Sequence, residues 1–325
     1  MGDLVETFVE LVRRASTELP ADVEAALRAA REREDPDSAA ASTLETILQN
    51  VALARASSTP VCQDTGVPIF YVYHPQGLST RQLRAQIEAA VAEATRRAYL
   101  RPNAVDSLTG RNSGNNVGIG FPTCHFNNGL GKERNGLGKE RNGLGKERNG
   151  LGKERNGLGK ERNGLRKERM RVDLLLKGGG SENVGTQYKL PYEPLKAGRD
   201  LEGVRRVVLD AVYQAQGQGC APGVLGITIG GDRGTGYVHA KEQFFRPLDD
   251  VNPLPELAAL EERLLRECNE LGIGPMGCGG KTTLLGVKIG VLHRLPACHF
   301  VSIAYMCWAC RRARLEVLED KTTFS

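Results

Sequence analysis

Gly219-Cys220-Ala221-Pro222-Gly223-Val224-Leu225-Gly226-Ile227-Thr228-Ile229-Gly230-Gly231 holds the pattern from which the fold is read. Its apolar, largely β-branched run, Val224–Ile229, is fenced by Pro and Gly on one side and paired glycines on the other. That predicts a buried strand entered and left by tight turns. The same signature recurs at Ile69–Tyr73, Val172–Leu176, Leu285–Ile289 and Phe300–Tyr305. Helical spacing fills much of the rest. Val5, Phe8, Val9 and Val12 share one helix face, as do Leu44, Ile47, Leu48 and Val51. Ser79 with Gln82 predicts a capped helix through Leu83, Ile87 and Val91 to about Tyr99, and amphipathic stretches cover about 200–216 and 254–271. The expected class is mixed α/β, of the α+β kind. A helical N-terminal part, 1–58, precedes short strands and Gly-rich loops, all in a single domain over 1–325.

With 325 residues, 40% of them hydrophobic, the chain can fill a sizeable core. The net charge of +5 suggests an anionic partner until it is located. Residues 128–169 are six tandem copies of a seven-residue unit, five NGLGKER and one NGLRKER, with 13 Lys+Arg and 6 Glu, so the remainder has 31 basic and 33 acidic residues. No nucleic-acid partner is expected: the basic repeat has no interleaved aromatics. The period of seven gives no apolar a/d pair, and each helical glycine costs about 1 kcal/mol, so a disordered, low-complexity insertion is expected rather than a coiled coil. Because Asn-Gly favours hairpin turns, a turn joining Phe126 to Met170 is expected beneath it. No apolar run reaches the roughly 18 residues of a membrane span, and Met1-Gly2-Asp3-Leu4 lacks a basic leader, so the expectation is a cytoplasmic protein with no membrane partner.

Eight cysteines without a secretory signal argue for metal-binding or buried thiols rather than disulfides. Taken alone, Cys62-Gln63-Asp64-Thr65-Gly66 reads as a buried Cys beside an Asp turn. Its weight comes from Cys220, just before the strand Val224–Ile229, and Cys307, just after Phe300–Tyr305. Three thiolates at strand edges suit a [4Fe–4S] cluster with one iron free of protein ligands. Such an iron is a Lewis acid that makes hydroxide a tolerable leaving group. Cys307-Trp308-Ala309-Cys310 lacks the second pair a zinc site needs. Cys124, Cys268, Cys278 and Cys310 read as structural thiols.

The set CQDTG (62–66), KGGGSEN (177–183), IGGDRGTGYVHAKEQFFR (229–246), LGIGPMGCGGKTTLLGVK (271–288) and AYMCWACRR (304–312) resembles the α subunit, or N-terminal domain, of class I fumarases and L(+)-tartrate dehydratases. The resemblance covers about residues 1–126 and 170–315. It implies a [4Fe–4S] hydro-lyase that hydrates fumarate to malate, with cluster ligands Cys62, Cys220 and Cys307. It further implies Gln63 and Asp64 as catalytic, substrate-facing residues and Arg101 as a carboxylate clamp. Gly179, Gly180 and Ser181 are expected to supply backbone or hydroxyl donors. A β subunit in a hetero-oligomer is implied, supplying what single-chain members carry after the third cysteine. A tartrate dehydratase α subunit is the alternative, and a non-enzymatic Fe–S sensor or binding module a more distant one. Single-chain members have a histidine twelve residues before the third cysteine, where this chain has Leu295, with His293 two places away. His293 is expected to be a packed or surface residue.

Overall fold

The computed structural model describes residues 3–129, 169–318 and 321–325, so the repeat between 130 and 168 lies outside the described residues. Three helices lead: α1 Val5–Thr17, α2 Ala21–Arg33 and α3 Ala39–Ser57, the last capped by Ser38 Oγ accepting from the Ala41 N–H at 3.1 Å. After β1 (Val67–His74), the Ser79 hydroxyl accepts from the Gln82 N–H at 3.3 Å and starts α4, Thr80–Arg96. There follow β2 Thr123–Asn128, β3 Arg169–Lys177, the one-turn α5 Gly179–Asn183, β4 Thr186–Lys189, α6 Leu201–Ala215 and β5 Gly223–Ile229. The remainder is α7 Arg233–Glu242, α8 Pro255–Glu270, β6 Leu284–Val291, β7 Phe300–Met306, β8 Arg312–Leu318 and β9 Lys321–Phe324. The class is mixed α/β, as expected. None of the described helices is long and apolar enough to cross a membrane.

The strands form two sheets, in the orders β2-β1-β3-β8-β9 and β4-β7-β5-β6. In the first, β1 is parallel to β2 and antiparallel to β3; in the second, β5 is parallel to β6 and antiparallel to β7. Side chains alternate across each sheet. Phe70, Val72, Val172, Leu174 and Leu176 face one core with α1 and α4, while Ile69, Tyr71 and Leu175 face another with α2 and α3. That second core also takes Val224, Ala304 and Met306 from the other sheet, whose opposite face, Leu225, Ile227, Val301 and Ile303, packs on α6 and α8. Strands buried on both faces explain the continuous apolar runs in the sequence.

The expected turn between Phe126 and Met170 is not how these strands meet. β2 and β3 flank β1 on opposite sides, Tyr73 pairing with both Asn127 and Arg171. Their ends stand two inter-strand spacings apart, roughly 10 Å, and the connection expected between them lies outside the described residues.

Candidate active site

Strand order creates the site before any side chain is considered. β5 and β7 run antiparallel with Val224 opposite Met306, so the loop entering β5, with Cys220, lies beside the loop leaving β7, with Cys307. The Trp308 N–H donates to the Cys220 carbonyl at 3.2 Å. On the first sheet, Val67 opens β1 opposite Lys177 at the end of β3, which puts the Cys62–Gly66 loop against Gly178–Ser181. Chain 307–311 then crosses between the sheets, and the Arg311 carbonyl accepts from the Leu176 N–H at 3.0 Å. Four strand ends and a crossover thus meet in one region.

Cys62, Cys220 and Cys307 are half-buried free thiols. Burial raises the Cys220 thiol, and the neighbouring Cys62 and Asp64 raise it further. Burial likewise pushes Cys307 up to about 11, with Arg311 pulling the other way more strongly than Lys177. Cys220 sits at φ +55°, a left-handed conformation that costs a non-glycine residue about 1–2 kcal/mol. Strain of that kind concentrates at sites where the surrounding structure dictates a side chain's aim. No three His, Cys, Asp or Glu side chains among the described residues converge on a single metal ion.

The Asp64 carboxylate is held by two amides: Gly179 N–H donates to Oδ2 at 2.7 Å and Gly66 N–H to Oδ1 at 3.0 Å. Its backbone carbonyl accepts from Arg311 Nη1 at 2.6 Å. Gly66 has to be glycine, because it stands at φ +78° and a Cβ there would come within 2.7 Å of the Lys177 backbone. Gln63 is exposed, and its carbonyl accepts from the Arg101 guanidinium at 3.3 Å. Buried Thr65 fixes the arginine's backbone, its hydroxyl accepting from Arg101 N–H at 3.1 Å and Asn103 Nδ2 at 3.0 Å. Sequence-predicted Gln63, Asp64, Arg101 and Gly179 are thereby brought together.

Ser181 lies behind the glycine turn. Its hydroxyl faces inward at 3% exposure, accepting from Lys177 Nζ at 2.9 Å and donating to the Gly178 carbonyl at 3.0 Å. It braces the glycine turn, and only the exposed Gly179 and Gly180 of that trio are open to a ligand. His293 is exposed and precedes β7, at the end opposite Cys307, a strand length of about 23 Å away. Residues not singled out from sequence include Lys177, which pairs with Glu182 at 3.1 Å, and Lys241, which pairs with the same carboxylate at 2.6 Å. Arg311, Thr65 and Asn103 join them. All but Asn103 sit inside the quoted motifs, which is the signal that pointed to them. Cavities lined by His239, Gln243 and Arg246, and by Tyr73, Arg171 and Arg314, do not include the cysteines.

The family described as Fumarate hydratase (Fumerase) matches residues 5–133 and 163–316. The chain is 45% identical over 320 residues to a Geobacillus stearothermophilus protein named "Putative fumarate hydratase class I", covering 98% of this chain and 55% of that protein. It therefore spans about half the length of that relative. A Methanocaldococcus jannaschii protein named "Putative L(+)-tartrate dehydratase subunit alpha" is 32% identical over 313 residues, 95% of each chain. The Escherichia coli K12 L(+)-tartrate dehydratase subunit alpha is 27% identical over 324 residues, 99% of this chain and 93% of its own. On the extent of the family match and the identity to the first two relatives, the chain belongs to the fumarate hydratase (Fumerase) family.

Proposed function

We propose that the chain is the cluster-bearing α subunit of a hydro-lyase that reversibly hydrates fumarate to malate, working in the cytoplasm with a β-type subunit in a hetero-oligomer. The observation that supports this reading is the convergence of three separate loops, carrying the free thiols Cys62, Cys220 and Cys307, beside an amide-held Asp64. Those residues fit an iron–sulfur cluster. Each thiolate of a [4Fe–4S] cluster binds a different iron, so its ligands stand farther apart than those of one ion, and three cysteines leave one iron open. A fully buried guanidinium with no ion pair among the described residues, Arg311, lies four residues beyond Cys307, suited to an anionic group. Cys62, Cys220 and Cys307 would hold the cluster, which when bound supplies Lewis acidity at a hydroxyl or carboxylate oxygen.

The rest of the chemistry belongs to the polypeptide. Dehydration of malate removes a C3 proton as hydroxide leaves C2, and hydration reverses both. Asp64, fixed by two N–H donors, is the group placed to take and return a proton. Arg101 spends one N–H on Gln63 and keeps the rest of its fork for a carboxylate, which it can grip bidentately. The Gln63 side chain and the Gly180 N–H of the exposed turn supply neutral donors, while the Gly179 N–H holds Asp64. Lys177 and Ser181 hold that turn from behind.

The β-type partner is supported by the surface next to Arg101. Asn116, 2% exposed, accepts from the Asn103 and Ala104 N–H groups and donates to the Arg101 carbonyl, fixing a loop that displays Val105, Leu108 and Ile119 at 58, 97 and 109% exposure. Asp106 and Arg111 stand beside Val105 and Leu108, while residues 112–122 carry no charge, and such a mixed surface of exposed apolar and neutral polar residues suits a subunit interface. A subunit covering Gln63 and Arg101 would bury it. The tartrate dehydratase reading is favoured by one observation, the match at 95% of both lengths to the Methanocaldococcus protein. The test is turnover by anaerobically loaded α chain with its β-type partner. Fumarate hydration supports the proposal, turnover of tartrate alone moves it to the second reading, and a loaded complex that turns over neither overturns both.

A further inference from the structure

We infer that Arg311 is the fixed counter-charge of the three-thiol site, a positioning residue whose guanidinium forms no ion pair among the described residues because the group held by Cys62, Cys220 and Cys307 supplies its partner. The inference rests on the cluster reading above and names a further residue of that same site.

Arg311 is the largest side chain in the fully buried set, at 1% exposure. Among the described residues no carboxylate forms an ion pair with it. Its one side-chain hydrogen bond goes to a neutral acceptor, the Asp64 carbonyl, and its Nε has no partner. The backbone is tied at both ends, its N–H donating to Ala309 O at 2.8 Å and its carbonyl accepting from Leu176. The side chain, buried and bonded to the Asp64 carbonyl, keeps the guanidinium out of solvent.

The neighbouring charges do not balance it. Glu182 is shared by Lys177 and Lys241, leaving that trio with an excess positive charge. Asp64 is the nearest carboxylate, close to the guanidinium across Gly178, but it forms no ion pair with Arg311: its oxygens accept from the Gly66 and Gly179 N–H groups, and Arg312, next in the chain, is paired with Asp22. Burying an uncompensated charge is among the costliest things a fold can do, and a carbonyl alone does not offset it. Holding the Asp64 carbonyl needs only a neutral donor. What a permanently charged fork adds is attraction for negative charge, and deprotonated cysteines with their cluster are the anion within reach.

The experiment uses the full chain, metal-free and after anaerobic loading with ferrous iron and sulfide, as parent, Arg311→Met and Arg311→Lys. Two quantities are read: the melting temperature of the metal-free form, and the rate at which the loaded form surrenders iron to a chelator. Arg311→Met should melt at or above the parent when metal-free, since it removes an unpaired buried charge, yet lose iron at least about tenfold faster, the scale of outer-shell effects on metal affinity. Arg311→Lys should retain iron close to the parent. A metal-free Arg311→Met that melts lower or does not fold shows a structural brace and overturns the inference. So does parent-like iron retention in Arg311→Met, or equal loss in both variants. A parent that takes up no iron refutes the cluster reading itself, which is a different result from any of these.

Discussion

Arg246 and Arg311 are both buried arginines, and the chain treats them in opposite ways. Arg246, 6% exposed, pairs with Glu261 at 2.8 Å and Asp250 at 2.8 Å. Asp250 is paired in turn with Lys288 at 2.5 Å, and Asn252 donates to Glu261 at 2.7 Å, so two carboxylates answer two cations. Arg311, more deeply buried, is answered by one carbonyl. The first network is complete within the polypeptide and serves the fold. The second has no carboxylate partner among the described residues, as expected if what the site binds supplies the charge.

The largest effects fall on the site itself. Cys220→Ser should remove the cluster outright, while Cys268→Ser, at a buried thiol packed among α6 and α8 side chains, should leave iron content unchanged. Iron analysis of anaerobically loaded protein decides between them. Asp64→Asn should keep the cluster but lower kcat by about 10²–10⁴, measured with the β-type subunit present. On the balanced side of the comparison, Glu261→Gln leaves Arg246 and Lys288 to share Asp250, one buried cation in excess, and should cost about 3–5 kcal/mol in denaturant unfolding of the metal-free chain. That is opposite in sign to the expectation for Arg311→Met, and equal effects at the two arginines would dissolve the contrast.

A smaller effect follows from the buried thiol of Cys268, which burial pushes from 9.0 to about 12. The folded chain holds that proton after the unfolded chain has released it. Its contribution to stability is therefore full below about pH 9 and is lost as pH rises towards 12. Cys268→Ala should flatten the fall in metal-free melting temperature over that window.

Five strands were legible because each is apolar on both faces. β2, Thr-Cys-His-Phe-Asn-Asn, and β4, Thr-Gln-Tyr-Lys, are short, partly exposed and polar, and carry no such run. β8 has a readable alternation, Ala313, Leu315 and Val317 inward, masked by Arg312, Arg314 and Glu316 between them. α7 contains two glycines, which argue against a helix. It forms because Asp232 accepts from Gly234 and Thr235 N–H groups and receives a capping box in return, and because Gly226 on β5 leaves room for the Ala240 carbonyl. At the site, cysteines and Asp64 stood out as residues whose chemistry is local to short motifs. Arg311 did not, since Arg-Arg after a strand reads as surface charge until the crossover between the sheets is known to bury it.

The most direct test of the whole account is the iron and sulfide content of the anaerobically loaded parent chain beside Cys62→Ser, Cys220→Ser and Cys307→Ser. About four irons per parent chain with broad visible absorption are expected, and loss of both in each of the three variants. A parent without iron, or a full cluster surviving in any one variant, would contradict it.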